Sequence, residues 1–185
     1  MRSVCLRRRS ASGSTGTGSC SIILIDCGAG RNTWKLLDNF AQHGFSGEQM
    51  EWIILTHAHA DHSGGAAMLQ RRFDSKVVCS KQTARLVSGG EEALKLGEAR
   101  EQGIYPADYH YEPCEPSLMV EDGDILCCGG LEVHFLASPA TAMIISAFIF
   151  PSLQRCSAAL RYSTTACAGK LPIIRQGKAR CQPQG

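Results

Sequence analysis

The residues best suited to chemistry lie in one short stretch, residues 57–62, which reads His-Ala-His-Ala-Asp-His and is called the histidine segment below. Three imidazoles and a carboxylate this close together are costly to bury without a partner, whereas a divalent cation stabilises neutral imidazole and ionised carboxylate together. Alternate spacing lets His57 and His59 project to one side of an extended chain, while Asp61 and His62 turn toward a neighbouring position. The segment predicts a metal site, and a solvated histidine-rich loop is the simpler alternative.

The ligand types indicate which metal to expect. Imidazole and carboxylate suit Zn2+ first, with iron or manganese as alternatives. A zinc ribbon is not expected, because the ten cysteines include no CxxC pair.

The stretches around the histidine segment predict strands that alternate with helices. A β-branched apolar run at residues 21–25 ends at Asp26-Cys-Gly-Ala-Gly, which is typical of a buried strand that enters a tight glycine turn. A helix capped by Asn32 and stopped by Gly44 follows, and a second buried strand at residues 52–55 leads into the histidine segment. Further predicted elements are helices at 66–73, 82–87 and 91–102, and strands at 76–80, 125–128 and 131–136. This order predicts a sheet covered by helices in an α/β or α+β domain.

Glycines border both the first strand and the histidine segment, which raises the alternative of a nucleotide-binding loop. Neither stretch spells GxGxxG or GxxxxGK[ST], so the glycines are expected to serve tight turns.

Charge divides the 185 residues into three pieces. The net charge is only +2, yet residues 1–25 carry +4 and residues 141–185 carry +6, both without an acid. We expect a disordered or transit-like leader at 1–20, one domain at 21–140, and a basic tail of unrelated sequence at 141–185. The basic ends lack interleaved aromatic residues and any nucleic-acid motif, so no specific nucleic-acid partner is expected.

Targeting signals are weak. The first residues lack the apolar core of a secretory signal, and no apolar run approaches the roughly 20 residues of a membrane-spanning helix. We therefore expect a cytoplasmic protein with reduced thiols and no membrane association. The Arg- and Ser-rich start leaves mitochondrial or plastid targeting as an alternative. The oligomeric state is not indicated.

The histidine segment and the stretches around it resemble those of a known family. The pattern HxHxDH after an apolar strand and before Ser-Gly-Gly at residues 63–65 resembles the signature of the metallo-β-lactamase fold superfamily. Residues 23–28 are similar to that family's strand-and-glycine segment, and residues 123–124 and 131–138 resemble the strands that lead to its next metal ligand. The short alanine spacers and the Ser-Gly-Gly stretch are most similar to glyoxalase II-like hydrolases.

The resemblance implies an α+β fold, a four-layer αββα sandwich with one or two metal ions at its edge. By motif position, His57 and His59 would bind the first metal, and Asp61 and His62 the second. Asp61 would also act in catalysis by orienting a metal-bound hydroxide. That hydroxide would attack a small-molecule substrate, namely an ester, thioester, lactam or phosphoester.

The sequence departs from the family in its last third. Where the family has a Pro-Gly-His segment that supplies the next ligand, residues 138–141 read Ser-Pro-Ala-Thr, and no histidine follows His134. Residues 141–185 contain no Asp, Glu or His to supply the later ligands. We therefore expect a partial sandwich with an incomplete C-terminal half and weakened hydrolysis. The alternatives are a non-catalytic metal-binding protein, or an inactive fragment from an alternative transcript or a gene-model error.

Other residues could replace a missing ligand. His134 is expected to be structural, His110 to be exposed or to line a substrate mouth, and His43 to contact carbonyls at a helix end. Cys127 and Cys128 are competent zinc ligands without positional support.

Overall fold

The computed structural model describes residues 4–7, 22–128, 131–138, 145–150 and 155–158. The strands are β1 (Val4–Arg7), β2 (Ile22–Ile25), β3 (Met50–Ile54), β4 (Lys76–Ser80), β5 (Leu118–Val120), β6 (Ile125–Cys128), β7 (Leu131–Ser138), β8 (Ile145–Phe150) and β9 (Arg155–Ala158). The helices are α1 (Thr33–Gln42), α2 (Ala60–Ser63), α3 (Ala66–Phe73), α4 (Lys81–Ala93) and α5 (Leu96–Glu101). A short 3-10 helix, Gly47–Gln49, precedes β3.

The strands form two sheets. The first has five strands in the order β1-β2-β3-β4-β5, with β2 to β5 parallel and β1 antiparallel to β2. The second has four antiparallel strands in the order β6-β7-β8-β9. The parallel strands are joined through helices, as parallel pairing requires.

Two apolar layers hold these elements together, and β2 contributes to both because its side chains alternate between its faces. Ile22 and Leu24 face the helices, in a cluster that includes Phe40 of α1 and Leu69 of α3. Ile23 and Ile25 face the second sheet, in a cluster that is completed by Trp52, Ile54, Val78, Val120, Leu126, Val133 and Phe135. The described residues thus form a helix layer on two packed sheets, which confirms the α+β sandwich expected as a partial αββα arrangement.

The helices after β4 differ from those predicted at 82–87 and 91–102. α4 continues through residue 93 and breaks internally at Gly90, whose φ of 68° lies in the left-handed region. A helical turn therefore starts again at Glu91, as predicted, but it ends at Ala93, and α5 begins only at Leu96. Asn32 occupies the N-cap position of α1, as predicted, but its side chain makes no capping hydrogen bond. The Thr33 hydroxyl donates to the Gly30 carbonyl at 2.9 Å.

The two end segments contain three of the strands, although their sequence pattern predicts none. Val4–Arg7 pairs with β2, while Ile145–Phe150 and Arg155–Ala158 extend the second sheet from β7. The remaining residues of the expected leader and tail lie outside the described part, so the division at 20 and 140 stays a prediction. No described helix is long and apolar enough to cross a membrane.

Among the described cysteines, Cys27, Cys79 and Cys114 are free and buried. Cys127 is disulfide-bonded, which differs from the reduced state that we expected for the thiols.

Candidate metal centre

The histidine segment lies at the carboxyl edge of the parallel sheet. β2 and β3 are parallel neighbours in which Ile25 pairs with Ile54, so the residues that follow the two strands meet at one edge. Asp26 follows β2, and Thr56 with the histidine segment follows β3. Ligands of open parallel sheets bind at this kind of edge.

A buried hydrogen-bond network joins these two strand ends. The Asp26 carboxylate accepts from the Thr56 backbone N–H at 2.9 Å and from the Thr56 hydroxyl at 2.8 and 3.0 Å. It also lies 2.8 Å from Nδ1 of His62. Asp26 has a φ of 53°, an uncommon conformation for a residue with a side chain. The network compensates for that backbone strain.

The carboxylate determines the protonation of two imidazoles. An ionised carboxylate only accepts hydrogen bonds, so Nδ1 of His62 must carry the proton it shares with Asp26. The Thr56 hydroxyl donates its one proton to Asp26. Its oxygen therefore accepts a hydrogen bond from Nδ1 of His57, at 2.8 Å. In the neutral imidazole, a proton on Nδ1 places the lone pair on Nε2, which is the form that binds a metal.

The three histidines cluster, although the pattern is more compact than the alternation predicts. The ring centroids of His57 and His59 lie 5.0 Å apart, and those of His57 and His62 lie 3.9 Å apart. One helical turn, α2, brings Asp61 and His62 back toward His57, so Oδ2 of Asp61 lies 3.7 Å from Nε2 of His62. The sequence pattern did not predict this turn.

The donor set has the chemistry of a divalent-metal site: three imidazoles, two of them held at Nδ1 by a hydrogen bond, beside a carboxylate. His57 is fully buried, so its protonated form would be costly there, and a cation that binds its lone pair fits the surroundings. However, in the part of the chain that the structure describes, no group of three or more His, Cys, Asp or Glu side chains is arranged to hold one ion.

The other candidate ligands lie elsewhere. His43 ends α1 with Nδ1 2.9 Å from the Asn39 carbonyl oxygen, which confirms its expected contact. His110 is exposed and lies 3.3 Å from Glu91. His134 lies on β7, 3.3 Å from Glu132.

A loop at residues 104–115, which we call the tyrosine loop, packs over the histidine segment. The Tyr105 hydroxyl donates to Oδ1 of Asp61 at 3.2 Å, and the Tyr109 hydroxyl to the Ala29 carbonyl at 3.0 Å. The Tyr111 hydroxyl lies 3.1 Å from that of Ser63. Burial and then the charge of Asp61 raise the pKa of Tyr105, so its phenol remains a donor at neutral pH.

Charged pairs at the edges anchor the tyrosine loop. Arg31 forms a bidentate ion pair with Asp108, and Arg71 of α3 pairs with Glu112. Glu91 accepts from Arg100 at 2.9 Å and from the Tyr111 backbone N–H at 2.9 Å. Its pKa falls to about 2, chiefly because of the hydrogen bond from Arg100.

The glycine turn after β2 packs directly on the histidine segment. A Cβ at Gly30 would lie 2.5 Å from the Gly64 carbonyl oxygen, and the φ of Gly30 is +83°. The Cys27 backbone N–H donates to the His62 carbonyl at 2.8 Å. Only glycine allows this close approach of the turn to α2.

Two residues of the site were not predicted as such. The sequence pattern assigns Asp26 only to a glycine turn and predicts no functional role for Tyr105. Asp26 could have been found, because a charged residue directly after a buried parallel strand marks the edge where ligands bind. Tyr105 lies 44 residues beyond Asp61 in an irregular loop, and no local pattern relates them.

Comparisons with known proteins identify the family of this fold. Residues 20–139 match the sequence model of the Metallo-beta-lactamase superfamily. A probable metallo-hydrolase of Burkholderia pseudomallei is 23% identical over 130 residues, covering 68% of this chain and 41% of that protein. A hydroxyacylglutathione hydrolase of Rhodopseudomonas palustris is 26% identical over 117 residues, covering 63% of this chain and 30% of that protein.

Solved structures show the same fold. The chain is similar to BJP-1, a subclass B3 metallo-beta-lactamase of Bradyrhizobium japonicum, with a TM-score of 0.58 and 24% identity over 69% of this chain and 46% of that one. It is also similar to the metallo-beta-lactamase GOB-18 from Elizabethkingia meningoseptica, with a TM-score of 0.58 and 24% identity over 70% and 46% of the two chains. The chain thus spans less than half the length of these proteins. The family model matches residues 20–139, more than half of the chain, so the chain belongs to the metallo-beta-lactamase superfamily.

Proposed function

We propose that the chain is a metal-dependent hydrolase whose metal ligands are His57, His59, Asp61 and His62. The observation that carries this proposal is the Asp26 network, which places the Nδ1 protons of His57 and His62 away from their Nε2 atoms. Metal-binding histidines almost always donate their other ring N–H to an oxygen, and the contacts of His62 Nδ1 with Asp26 and of His57 Nδ1 with Thr56 fit that pattern.

The four ligands divide between two subsites, His57 with His59 and Asp61 with His62. Zinc is the first candidate, and iron or manganese suits the same donors. When bound, such a cation supplies Lewis-acid chemistry, which lowers the pKa of water and stabilises negative charge on a substrate oxygen.

The chain's own side chains hold and orient the reactants. Asp26 and Thr56 keep the imidazoles of His57 and His62 in place, and Asp61 accepts a hydrogen bond from the attacking water and so directs its lone pair at the substrate. The side chain of Asp61 is 46% exposed, so it is accessible to both water and a small substrate.

The substrate class is a small ester, thioester, lactam or phosphoester. Thioesters are the first to test, because two of the relatives are named hydroxyacylglutathione hydrolases. Lactams are the next substrates to test, because another relative is named a beta-lactamase hydrolase-like protein, from Agrobacterium fabrum.

A second candidate function is metal binding without turnover. It is favoured by the lack of any group of three or more metal-ligating side chains among the described residues. Each subsite then has two protein ligands from the histidine segment, where catalytic zinc sites commonly have three.

One experiment separates the two functions. Purified full-length chain with added Zn2+ is assayed on a panel of thioesters, esters, lactams and phosphoesters, together with His59→Ala and with His43→Ala as the matched control. We expect feeble hydrolysis that is lost in His59→Ala and kept in His43→Ala. Zinc binding without any His59-dependent turnover would support the second function, and no zinc binding would contradict both.

A further inference from the structure

Asp61 is held from outside the histidine segment by a tyrosine. The Tyr105 hydroxyl lies 3.2 Å from Oδ1 of Asp61, and since a carboxylate has no proton to give, the phenol is the donor. The contact connects residues 44 positions apart.

The hydrogen bond has a consequence for the other oxygen. With Oδ1 held by Tyr105, Oδ2 of Asp61 faces His62, 3.7 Å from its Nε2. Tyr105 and His62 therefore lie on opposite oxygens of one carboxylate, and the oxygen that is not bound to the phenol is directed at the neighbouring ligand.

Tyr105 is itself fixed by a second tyrosine. The rings of Tyr105 and Tyr109 stack with centroids 5.1 Å apart and an interplanar angle of 20°. Tyr109 is buried, and its hydroxyl contacts the Ala29 carbonyl at 3.0 Å and the Ala60 carbonyl at 3.4 Å. The position of the phenol is thus tied to the glycine turn and to the first residue of α2.

We propose that Tyr105 is a positioning residue that orients the Asp61 carboxylate, so that one oxygen of Asp61 faces His62 in the second metal subsite. This inference rests on the proposed function, because it assigns Tyr105 a role at the same site. Tyr105 acts through Asp61 and need not touch the metal or the substrate.

The test measures zinc affinity, by competition with a chromophoric chelator, on the full chain. Tyr105→Phe removes only the hydroxyl and is expected to weaken zinc binding about 10 to 100-fold, the usual effect of losing a partner of a metal ligand. Tyr111→Phe is the matched control, since it removes a hydroxyl from the same loop while Ser63 keeps its contacts to the Ala58 and His59 carbonyls. It should leave zinc affinity within about twofold, because it does not touch a ligand.

A double-mutant cycle separates positioning from a general effect on the fold. In the Asp61→Asn background, Tyr105→Phe should have no further effect on zinc affinity, because the carboxylate it orients is gone. Equal weakening in both backgrounds, or no weakening beyond that of Tyr111→Phe, would overturn the proposal.

A third variant distinguishes the failure of this inference from failure of the proposed function. His57→Ala should abolish tight zinc binding whatever the role of Tyr105. If His57→Ala has no effect, or if the wild-type chain binds no zinc, the proposed metal site is contradicted. The proposed role of Tyr105 is then contradicted as well. If His57→Ala acts and Tyr105→Phe does not, only the role of Tyr105 is wrong.

Discussion

The carboxylate of Asp26 lies 2.8 Å from Nδ1 of His62, although the two residues are 36 positions apart in the sequence. This distance shows that the site is assembled from two strand ends and is not a property of the histidine segment alone. The hydrogen bond that holds Nδ1 of His62 therefore depends on the parallel pairing of β2 with β3.

Replacing Asp26 by Asn should weaken zinc binding about 10 to 100-fold. In Asn one of the two carboxylate oxygens becomes a donating NH2, so either the Thr56 backbone N–H or Nδ1 of His62 faces a donor where it now has an acceptor. Zinc titration of Asp26→Asn checks this, with Asp38→Asn as the control because Asp38 is exposed on α1. Equal zinc affinity in wild type and Asp26→Asn would contradict it.

Zinc should be held weakly by the wild-type chain. Two protein ligands at each subsite are fewer than the four of a closed structural site, so the ion keeps water ligands and exchanges readily. After dialysis against a mild chelator, elemental analysis should find clearly less than one zinc ion per chain. Stoichiometric zinc that resists the chelator would mean that a further side chain completes the site.

Acid should destabilise the protein through Glu91, which anchors the tyrosine loop. Its pKa falls from 4.5 to about 2 in the folded protein, with Arg100 as the main cause. The stabilisation is therefore fully present above pH 4.5 and is lost as the pH falls from 4.5 toward about 2.

Thermal unfolding measured between pH 2 and 7 tests this. Glu91→Gln should lower the melting temperature at neutral pH and show a smaller further loss below pH 4.5 than wild type. Glu92→Gln, at the exposed neighbouring position, should retain the wild-type profile. If Glu91→Gln retains the full acid-dependent loss, another group is responsible.

The glycine turn offers a matched pair of substitutions. Gly28 and Gly30 both have positive φ, but a Cβ at Gly28 meets nothing within 4 Å, whereas one at Gly30 would collide with Gly64. Gly28→Ala should cost about 1 to 2 kcal/mol for the left-handed conformation. Gly30→Ala should cost roughly 1 to 3 kcal/mol more for the collision. Urea unfolding of both variants measures the difference, and equal costs would show that the turn relaxes away from α2.

The sequence predicts well where a local pattern has one physical reading. The helix at 66–73 and the strand at 76–80 agree with α3 and β4 at both ends. The strands predicted at 125–128 and 131–136 are β6 and β7, and β7 continues to Ser138. The apolar, β-branched run before Asp26 forms β2, as predicted, and all four residues of that strand are buried.

Local sequence patterns do not predict features that depend on contacts between residues far apart in the sequence. The break at Gly90 lies between the two helices predicted at 82–87 and 91–102, but a Cβ there would lie 2.8 Å from the ring of Pro113, and nothing at residues 82–102 indicates that contact. Similarly, β5 has only three residues and is defined by pairing with β4. In the candidate site, the histidines are evident from their spacing, whereas Tyr105 reaches Asp61 through the packing of a loop.

The buried thiols of Cys27, Cys79 and Cys114 should react slowly with alkylating reagents in the native state. Burial raises the pKa of Cys79 to about 12 and that of Cys114 to about 11, and it raises the pKa of Cys27 further. Alkylating reagents attack the thiolate, which is scarce and inaccessible at all three positions in the native state. The rate at which each of these cysteines is alkylated, resolved by mass spectrometry, therefore reports how often the layer between the helices and the first sheet opens to solvent.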